Sequence, residues 1–256
     1  MATPAATVLI LTPMKTATKF LDRYFAALSE LTYPHELISL GILEGDSEDD
    51  TFNAVKRRLP QECRNFKSHH LFKKDFGLRM PAGIPRYEAV YQAPRRAVLA
   101  RARNHLLFNA LRDQEWVLWL DVDVIEYPKD ILQRLIAFDL DIIHPHCVTK
   151  YGGRTFDRNA WSDNGRYHME DLRGSERVRL DAVGGTMLLV RADRHRDGLV
   201  FPPFFYGDRS RWVRDSQPLR GSAVGEIETE GLGIMAKDMG IECWGLPDLE
   251  ILHFNG

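Results

Sequence analysis

Apolar runs typical of β-strands alternate with segments of helical periodicity through the first half of this chain. The strand-like runs cover residues 7–11, 37–43, 69–72, 116–120 and 141–145. The helical spacing of apolar residues is clearest over residues 97–111. Strands that alternate with helices favour a parallel sheet, because each connection has to return to the opposite end of the sheet. We therefore predict an α/β, Rossmann-like fold with a mostly parallel central sheet flanked by helices.

The second half of the chain has a different pattern, with longer loops. The predicted elements are a loop-rich region, one strand, one helix and two short strands, at residues 151–178, 180–190, 226–240, 242–246 and 249–253. Gly184 and Gly185 interrupt the first of these strands. This half is expected to form a smaller, mixed region beside the parallel sheet.

The composition is that of a globular protein, with 44% hydrophobic and 27% charged residues. A length of 256 residues suits one large α/β domain or two small ones. The net charge of −2 provides no broad positive field for nucleic acid or an anionic membrane. No apolar run approaches the ~18 residues of a membrane span, and no signal peptide is recognisable. The sequence therefore predicts a soluble, cytoplasmic protein that does not bind nucleic acid.

The cysteines agree with that location. Cys63, Cys147 and Cys243 lie far apart in the sequence, and no Cys-x-x-Cys pair occurs. Widely spaced cysteines in odd number argue against a disulfide framework or a structural zinc site, and they favour a reducing compartment.

Two acidic residues, Asp121 and Asp123, directly follow the strand-like run at 116–120. Ligands of open α/β sheets bind at the carboxyl ends of the strands, so these carboxylates are expected to face a ligand. Two carboxylates one residue apart can bind one hard divalent cation, and a nucleotide diphosphate can supply further ligands. The alternative is a solvated acidic turn, since Asp-x-Asp is common by chance. The position at a strand end favours the metal–diphosphate site.

Asp46 and Arg103 are candidates for the same edge of the sheet. Asp46 follows the strand predicted at 37–43, where its carboxylate could accept hydrogen bonds from a base or a ribose. The alternative is a helix cap together with Ser47. Arg103 lies in the helix that precedes the acidic strand, and the fixed fork of its guanidinium suits a diphosphate. The alternative for Arg103 is a solvent-facing helical surface.

The glycine pair and two glutamates carry further hypotheses. Gly184 and Gly185 stand beside Asp181 inside an apolar run, which favours a bulge or a close backbone approach to a ligand over a hairpin turn. Glu228 and Glu230 begin the predicted helix at 226–240. Their carboxylates either complement the helix dipole or bind acceptor hydroxyls and act as a base.

Several blocks occur in an order and spacing far more specific than Asp-x-Asp alone. They lie at residues 102–104, 106–107, 120–124, 183–186, 188–190, 195–198, 201–203, 228–231, 245–247 and 253–255. Together they resemble the GT-A glycosyltransferases, and more narrowly the fungal mannan-polymerase family of α-mannosyltransferases. The resemblance implies one GT-A domain over residues 1–256, with a nucleotide-binding half (1–150) and an acceptor- and metal-closing half (151–256).

The resemblance also implies an activity. It implies transfer of mannose from GDP-mannose to a glycan or a small hydroxyl acceptor, with retention of configuration and with Mn²⁺ or Mg²⁺ as cofactor. Asp121 and Asp123 match the metal motif of the family, and His253 matches its third ligand, although a lone histidine is usually structural. The candidate carboxylates near the reacting carbon are Asp181, Glu228 and Glu230. The residues expected to contact the substrate are Pro13, Lys15, Asp46, Arg103, Asp121, Gly184 and Gly185.

Two other functions stay open from the sequence. A nucleotidyltransferase of similar architecture typically has a Gly-rich phosphate loop after its first strand, whereas residues 12–15 contain no glycine. A catalytically inactive nucleotide-sugar binding or scaffold protein would keep the fold and lose a metal ligand, whereas all three suspected ligands are present. Metal-dependent hydrolysis of the donor would separate the enzyme from the scaffold.

Overall fold

The structure is a computed structural model that describes residues 6–79, 89–208, 210, 212–213 and 224–254. Within these residues a nine-stranded sheet forms the centre of the fold, and a separate two-stranded sheet lies beside it. The strands are β1 (Val8–Met14), β2 (Ile38–Glu44), β3 (Ser68–Lys73), β4 (Trp116–Leu120), β5 (Val124–Glu126), β6 (Ile142–Val148), β7 (Trp161–Ser162), β8 (Tyr167–His168), β9 (Val178–Leu180), β10 (Met187–Arg191) and β11 (Cys243–His253). Strands β7 and β8 form the small sheet.

The order of strands across the large sheet is β3-β2-β1-β4-β10-β6-β11-β5, and β9 pairs with β11. Strands β1 to β4 are parallel to one another, and β6 is parallel to β11. Strand β10 lies antiparallel between β4 and β6. The prediction of an α/β fold with a mostly parallel sheet is therefore confirmed. Strands from both predicted halves share this sheet, and the division of roles between the halves stays a prediction.

Helices cover both faces of the sheet. The α-helices of the described residues are α1 (Leu21–Ser29), α2 (Thr51–Glu62), α3 (Ala89–Ala110), α4 (Ile131–Ala137), α5 (Ala192–Arg196) and α6 (Glu228–Asp238). Alternate side chains of β1 point to opposite faces, and all but that of Pro13 are buried, so each face needs a covering layer. Helices α1, α2 and α4 pack on one face, and α3 and α6 pack on the other. None of the helices described is long and apolar enough to cross a membrane.

The single strand predicted over residues 180–190 is wrong. Gly184 and Gly185 separate it into β9, which pairs with β11, and β10, which pairs with β4 and β6. Two strands that are continuous in hydrophobicity thus occupy different positions in the sheet.

The two short strands predicted at 242–246 and 249–253 form one strand, β11. Its pairing with β6 is irregular between Leu246 and Glu250. Pro247 lies in this irregular segment, where a residue without an N–H cannot donate to the ladder. The strand continues past the proline with a shift in its pairing to β6.

A glycine in β2 lets α3 lie directly on the sheet. A Cβ added to Gly41 would come within 2.8 Å of the Leu11 side chain and 3.0 Å of the Ala110 Cβ. Protein cores have little free volume, so a larger residue here would push the helix outward. The position of α3 matters because this helix carries Arg103 to the carboxyl end of β4.

A buried histidine connects α5 to β4. The Trp119 indole Nε1–H donates to His195 Nε2 (3.2 Å), and His195 Nδ1 donates to the Leu199 carbonyl (2.7 Å). This pairing requires a neutral imidazole with its proton on Nδ1. Burial lowers the pKa of His195 to about 4.

We expect the free energy of unfolding to fall as the pH is lowered from about 6.5 towards about 4. In this window the unfolded chain binds a proton at His195 that the folded protein excludes. The contribution of neutral His195 to the free energy of unfolding is therefore complete above the window and lost below it. The whole change amounts to about 3 kcal/mol. Urea unfolding at about pH 7.5 and about pH 4.5, of the protein and of His195→Gln, measures it. If the imidazole is not responsible, both proteins will lose stability equally.

Candidate active site

The carboxyl ends of β1, β2 and β4 lie at one edge of the sheet, because these strands are parallel and adjacent. Lys15, Asp46 and Asp121 follow the three strands, and all three line one cavity of about 390 Å³. Pro13 and Arg103 line the same cavity. The structure thus brings five of the residues predicted to bind the substrate to the edge where open α/β sheets bind ligands.

A second cavity of about 400 Å³ continues the first. Arg103, Asp121 and Asp123 line both cavities, which therefore form one cleft. Volumes of this size suit small-molecule ligands. Other residues that line the second cavity are Asp157, Asn159, Gly185, Thr186, Glu228 and His253.

Arg103 joins two acidic residues at the centre of the cleft. Its Nη2 lies 3.1 Å from Asp121 Oδ1, and its Nε lies 3.1 Å from Glu228 Oε1. The side chains of Arg103 and Glu228 are almost fully buried, whereas that of Asp121 keeps 28% of its exposure. Arg103 is therefore not the solvent-facing helical residue of the alternative interpretation. It contacts the carboxylate of Asp121, the first acidic residue of the Asp-x-Asp motif.

Two aromatic rings fix the Arg103 guanidinium. Its Cζ lies 5.7 Å from the centroid of the Trp119 ring and 5.5 Å from that of Phe201. Both rings are buried, and a cation in such surroundings is attracted to the aromatic face. Arg103 Nη2 also lies 3.4 Å from the Gly185 carbonyl. The guanidinium therefore has a defined orientation toward its carboxylates.

The surroundings of Asp121 disfavour its ionised form. Desolvation in the cleft raises the pKa of Asp121, the Arg103 guanidinium opposes the rise, and the carboxylates of Asp123, Asp157 and Glu228 add to it. An additional cation next to Asp121 would stabilise its ionised form.

Asp123 and His253 form a second polar contact in the cleft. His253 Nε2 lies 3.1 Å from Asp123 Oδ1, and His253 Nδ1 donates to the Phe254 carbonyl (2.7 Å). The imidazole is buried and stacks on Phe156, with 3.7 Å between ring centroids. Burial lowers the pKa of His253, but the Asp123 carboxylate outweighs this effect and the pKa is raised.

The side chains of Asp121, Asp123 and His253 are of the chemical types that bind a hard divalent cation. Two carboxylates and an imidazole are common ligands of Mn²⁺, and the outer N–H of a metal-binding imidazole usually donates to a carbonyl or carboxylate, as in His253. Among the residues described, no three His, Cys, Asp or Glu side chains lie close enough together to hold an ion as they stand. The metal site of Asp121, Asp123 and His253 therefore stays a prediction.

Asp157 is a buried carboxylate of the cleft that the sequence does not single out. Its Oδ2 accepts hydrogen bonds from the amides of Gly185 (2.8 Å) and Thr186 (3.0 Å), and it lies 3.7 Å from His144 Nε2. Burial opposes ionisation, but His144 and the two amides hold the pKa of Asp157 well below its usual value. Asp157 therefore fixes the backbone that leads into β10.

The glycine pair is required by side chains of the protein itself. A Cβ added to Gly184 would collide with the Asp157 carboxylate and come within 2.6 Å of His144 Nε2. A Cβ added to Gly185 would lie 2.6 Å from Arg103 Nη2. The sequence predicts a close approach of a ligand to this backbone, whereas the structure places the side chains of Asp157 and Arg103 against it, and a ligand contact stays a prediction. Gly185 also lines the second cavity.

Gly184→Ala is expected to lower the free energy of unfolding by about 1–3 kcal/mol, since the added Cβ displaces the Asp157 carboxylate from its amide donors. Urea unfolding of the variant measures the loss. In an Asp157→Ala background the same substitution is expected to cost less, because the colliding carboxylate is absent. An equal cost in both backgrounds would exclude this collision as the cause.

Glu228 faces the second cavity from the first residue of α6. Besides its contact with Arg103, its Oε2 accepts a hydrogen bond from Thr229 Oγ1 (2.9 Å). Its backbone φ of +61° is uncommon for a residue with a side chain. Residues held in such conformations often belong to functional sites. A role for Glu228 on a ligand stays a prediction.

The other two carboxylates predicted near the reacting carbon lie elsewhere. Glu230 is fully buried, accepts a hydrogen bond from Trp161 Nε1 (2.7 Å) and lies 2.5 Å from Arg96 Nη1. Asp181 pairs with Lys237. Neither carboxylate lines the two cavities of the cleft. Both side chains connect α6 to its neighbours.

Two of the predicted nucleotide contacts are engaged with a neighbouring loop. Lys15 Nζ donates to the Leu78 carbonyl (2.6 Å). The Asp46 carboxylate accepts hydrogen bonds from the amides of Phe76 (3.0 Å) and Gly77 (2.9 Å). Asp46 is therefore not the helix cap of the alternative interpretation.

The sequence over most of the chain matches a known family. The family profile described as Anp1 matches residues 2–172 and 163–205. The chain belongs to the Anp1 family. The predicted resemblance to the fungal mannan-polymerase family is thereby confirmed.

Curated relatives of this Anp1-family chain are subunits of mannan polymerases. The mannan polymerase II complex anp1 subunit of Schizosaccharomyces pombe is 31% identical over 98% of this chain and 64% of its own length. The mannan polymerase complex subunit MNN9 of Candida albicans is 32% identical over 97% of this chain and 74% of its own length. The chain thus spans about two thirds to three quarters of these relatives.

Solved glycosyltransferases share the fold. The mannosyltransferase PcManGT of Pyrobaculum calidifontis, in complex with GDP-Man and Mn²⁺, has a TM-score of 0.59 at 16% identity, over 98% of this chain and 57% of its own. GalNAc-T7 with UDP, GalNAc and Mn²⁺ has a TM-score of 0.56 at 12% identity, over 98% of this chain and 44% of its own. The predicted GT-A fold is confirmed, and the chain is glycosyltransferase-like in family and in fold.

Proposed function

We propose that this chain is a metal-dependent glycosyltransferase that moves mannose from GDP-mannose to a hydroxyl group of a glycan or another acceptor. The observation that carries the proposal is the cleft at the carboxyl ends of β1, β2 and β4, where Asp121, Asp123 and Arg103 stand between two cavities. The names of its relatives support mannose as the sugar, and the ligands of PcManGT support GDP-mannose and Mn²⁺.

The two cavities suit the two parts of a nucleotide sugar. Apolar side chains such as Leu43, Phe76 and Leu99 line the first cavity, and an aromatic base can pack against such walls. Polar side chains such as Asn159 and Glu228 line the second, and they can hydrogen-bond sugar hydroxyls. The diphosphate would then lie between them, beside Asp121 and Asp123.

Asp121, Asp123 and His253 would hold the Mn²⁺ or Mg²⁺. When bound, the ion offsets the negative charge that develops on the leaving diphosphate. Arg103 restricts the orientation of the Asp121 carboxylate through its bond to Oδ1. The bond from His253 Nδ1 to the Phe254 carbonyl orients the imidazole and leaves Nε2 toward Asp123.

Glu228 is the carboxylate that we place beside the reacting carbon. It lines the second cavity, and Arg103 and Thr229 hold its two oxygens. Retention of configuration is part of the proposal, since the fungal mannan-polymerase family, which this chain resembles, forms α-linkages from an α-linked donor. Such an enzyme needs no water-activating base, so the carboxylate spacing of glycosidases does not apply.

Thermal unfolding with nucleotide sugars tests the proposal directly. GDP-mannose at 100 times its Kd should stabilise the protein by about 2.7 kcal/mol, and so raise Tm by about 5–10 °C, only when Mn²⁺ is present. EDTA should abolish the shift. Stabilisation by a UDP-sugar in place of GDP-mannose would keep the enzyme class and overturn the donor.

Transfer itself is measured as GDP release and as elongation of mannose or short mannosides. The expected result is Mn²⁺-dependent transfer, with slow hydrolysis of the donor when no acceptor is present. Donor binding with neither transfer nor hydrolysis would instead identify a nucleotide-sugar binding subunit, which is the scaffold function that the sequence leaves open.

A further inference from the structure

The loop after β3, residues 74–79, forms a wall of the first cavity. Phe76 and Leu78 line the cavity between the end of β2 and helix α3. The loop has no helix or strand of its own. Its position must therefore be fixed by contacts with the neighbouring strand ends.

Asp46 makes most of these contacts. Its Oδ2 accepts a hydrogen bond from the Phe76 amide (3.0 Å), and its Oδ1 accepts one from the Gly77 amide (2.9 Å). The Asp46 amide in turn donates to Asp75 Oδ1 (2.7 Å). Hydrogen bonds from amides to a carboxylate are among the stronger ones in proteins. Both oxygens of Asp46 are thus occupied by the loop.

The backbone around Asp46 is shaped for this contact. Asp46 has a φ of +59°, a left-handed conformation that aspartate tolerates better than most residues. A Cβ added to Gly45 would collide with the Lys74 carbonyl, so the loop crosses directly over this glycine. The Lys74 amide donates to the Glu44 carbonyl (3.0 Å), which extends the β2–β3 pairing to the start of the loop.

We propose that Asp46 is a positioning residue, which holds the loop at residues 74–79 as a wall of the nucleotide cavity, and that the loop sets the selectivity for the base. Asp46 acts through Phe76 and Leu78, and its carboxylate does not contact the base or the ribose. The selectivity role rests on the proposed function, because it requires a nucleoside diphosphate in the first cavity. Lys15 adds a second attachment through the Leu78 carbonyl.

Hydrogen exchange of the protein without nucleotide tests the attachment by itself. In Asp46→Ala the amides of Phe76 and Gly77 lose their acceptor, so their exchange should become at least about tenfold faster, while amides of β1 and β4 stay unchanged. Asp46→Asn keeps one acceptor oxygen and should give an intermediate rate. Unchanged exchange at both amides would overturn the proposal.

Calorimetric binding of GDP and UDP, with Mn²⁺ present, tests the selectivity. Asp46→Ala and Gly77→Ala should each weaken GDP binding by about tenfold, which is 1.4 kcal/mol. Each should also reduce the ratio of the affinity for GDP to the affinity for UDP. Gly77 has a φ of +75° and open space around it, so alanine strains the loop without touching the cavity. Glu48→Ala is the matched control, because Glu48 is an exposed acid of the same strand end outside the cavity lining.

The double variant separates the two roles of Asp46. If both substitutions act through the loop, Asp46→Ala with Gly77→Ala should bind GDP no more weakly than either single variant. Additive losses would assign Asp46 a direct contact with the nucleotide and overturn the proposal. Failure of the unsubstituted protein to bind any nucleotide would overturn the proposed function and the selectivity role, whereas the exchange rates would still decide whether Asp46 holds the loop.

Discussion

Asp123→Ala is expected to lower the rate of sugar transfer by about 1000-fold or more and to remove the Mn²⁺ dependence of donor binding. A bound metal supplies several kcal/mol of charge stabilisation in the transition state, and each 1.36 kcal/mol is a factor of ten in rate. The fold should survive, because the Phe254 amide bonds the Asp123 backbone carbonyl, which the substitution leaves in place. Steady-state turnover and a calorimetric Mn²⁺ titration measure the two effects.

Asp113→Ala is the matched control, since Asp113 is an exposed aspartate that precedes β4, whereas Asp123 follows it. It should leave turnover and Mn²⁺ affinity unchanged. His253→Ala should weaken Mn²⁺ binding by a smaller factor, because both carboxylates remain. An unaltered Mn²⁺ titration in Asp123→Ala would show that the acidic motif does not hold the metal.

The parallel part of the sheet could be predicted because its strands are short apolar runs separated by helical periodicity. The run at 116–120 coincides with β4, and Asp121 follows it as expected. Strands β9 and β10 could not be separated in the same way, because their hydrophobic pattern is nearly continuous. Strand β9 pairs with β11, whereas β10 pairs with β4 and β6. Local periodicity does not encode pairing between strands that are distant in the sequence.

The candidate site was predictable where a strand end decides the position of a residue. Lys15, Asp46 and Asp121 meet in one cleft for that reason. Residues whose role depends on a distant partner were not predictable. Asp157 binds amides 28 and 29 positions further along the chain, and no spacing within its polar loop indicates this.

The acidic residues show the same limit. Glu228 and Glu230 are two positions apart in one helix, yet one faces the cleft and the other is paired with Arg96 in the interior. Asp181 lies within the strand predicted at 180–190, but its partner Lys237 comes from α6. A sequence gives the position of a carboxylate and not the cation that neutralises it, so it cannot separate a buried ion pair from a ligand contact.

Arg103→Met is expected to lower the free energy of unfolding by about 3–5 kcal/mol, because the buried Glu228 and the partly buried Asp121 lose their shared guanidinium. Transfer should also be lost, since the substitution releases the carboxylate that we place on the metal and the one beside the reacting carbon. Arg103→Lys should be intermediate in stability. A single ammonium cannot bond both carboxylates in the fork geometry of arginine, and it stacks less well on Trp119 and Phe201. Urea unfolding and turnover of the two variants measure these effects.

A second substitution shows whether the lost stability comes from the ion pair. Arg103→Met with Glu228→Gln removes the more deeply buried of the two charges that lose Arg103, and an uncharged amide can stay buried at far lower cost than a carboxylate. The double variant should therefore be more stable than the sum of the two single losses predicts, by about 1–3 kcal/mol, while transfer stays lost. If the two losses simply add, the stability that Arg103 provides comes from its packing between Trp119 and Phe201, and the contact with Glu228 serves only to orient the carboxylate toward the ligand.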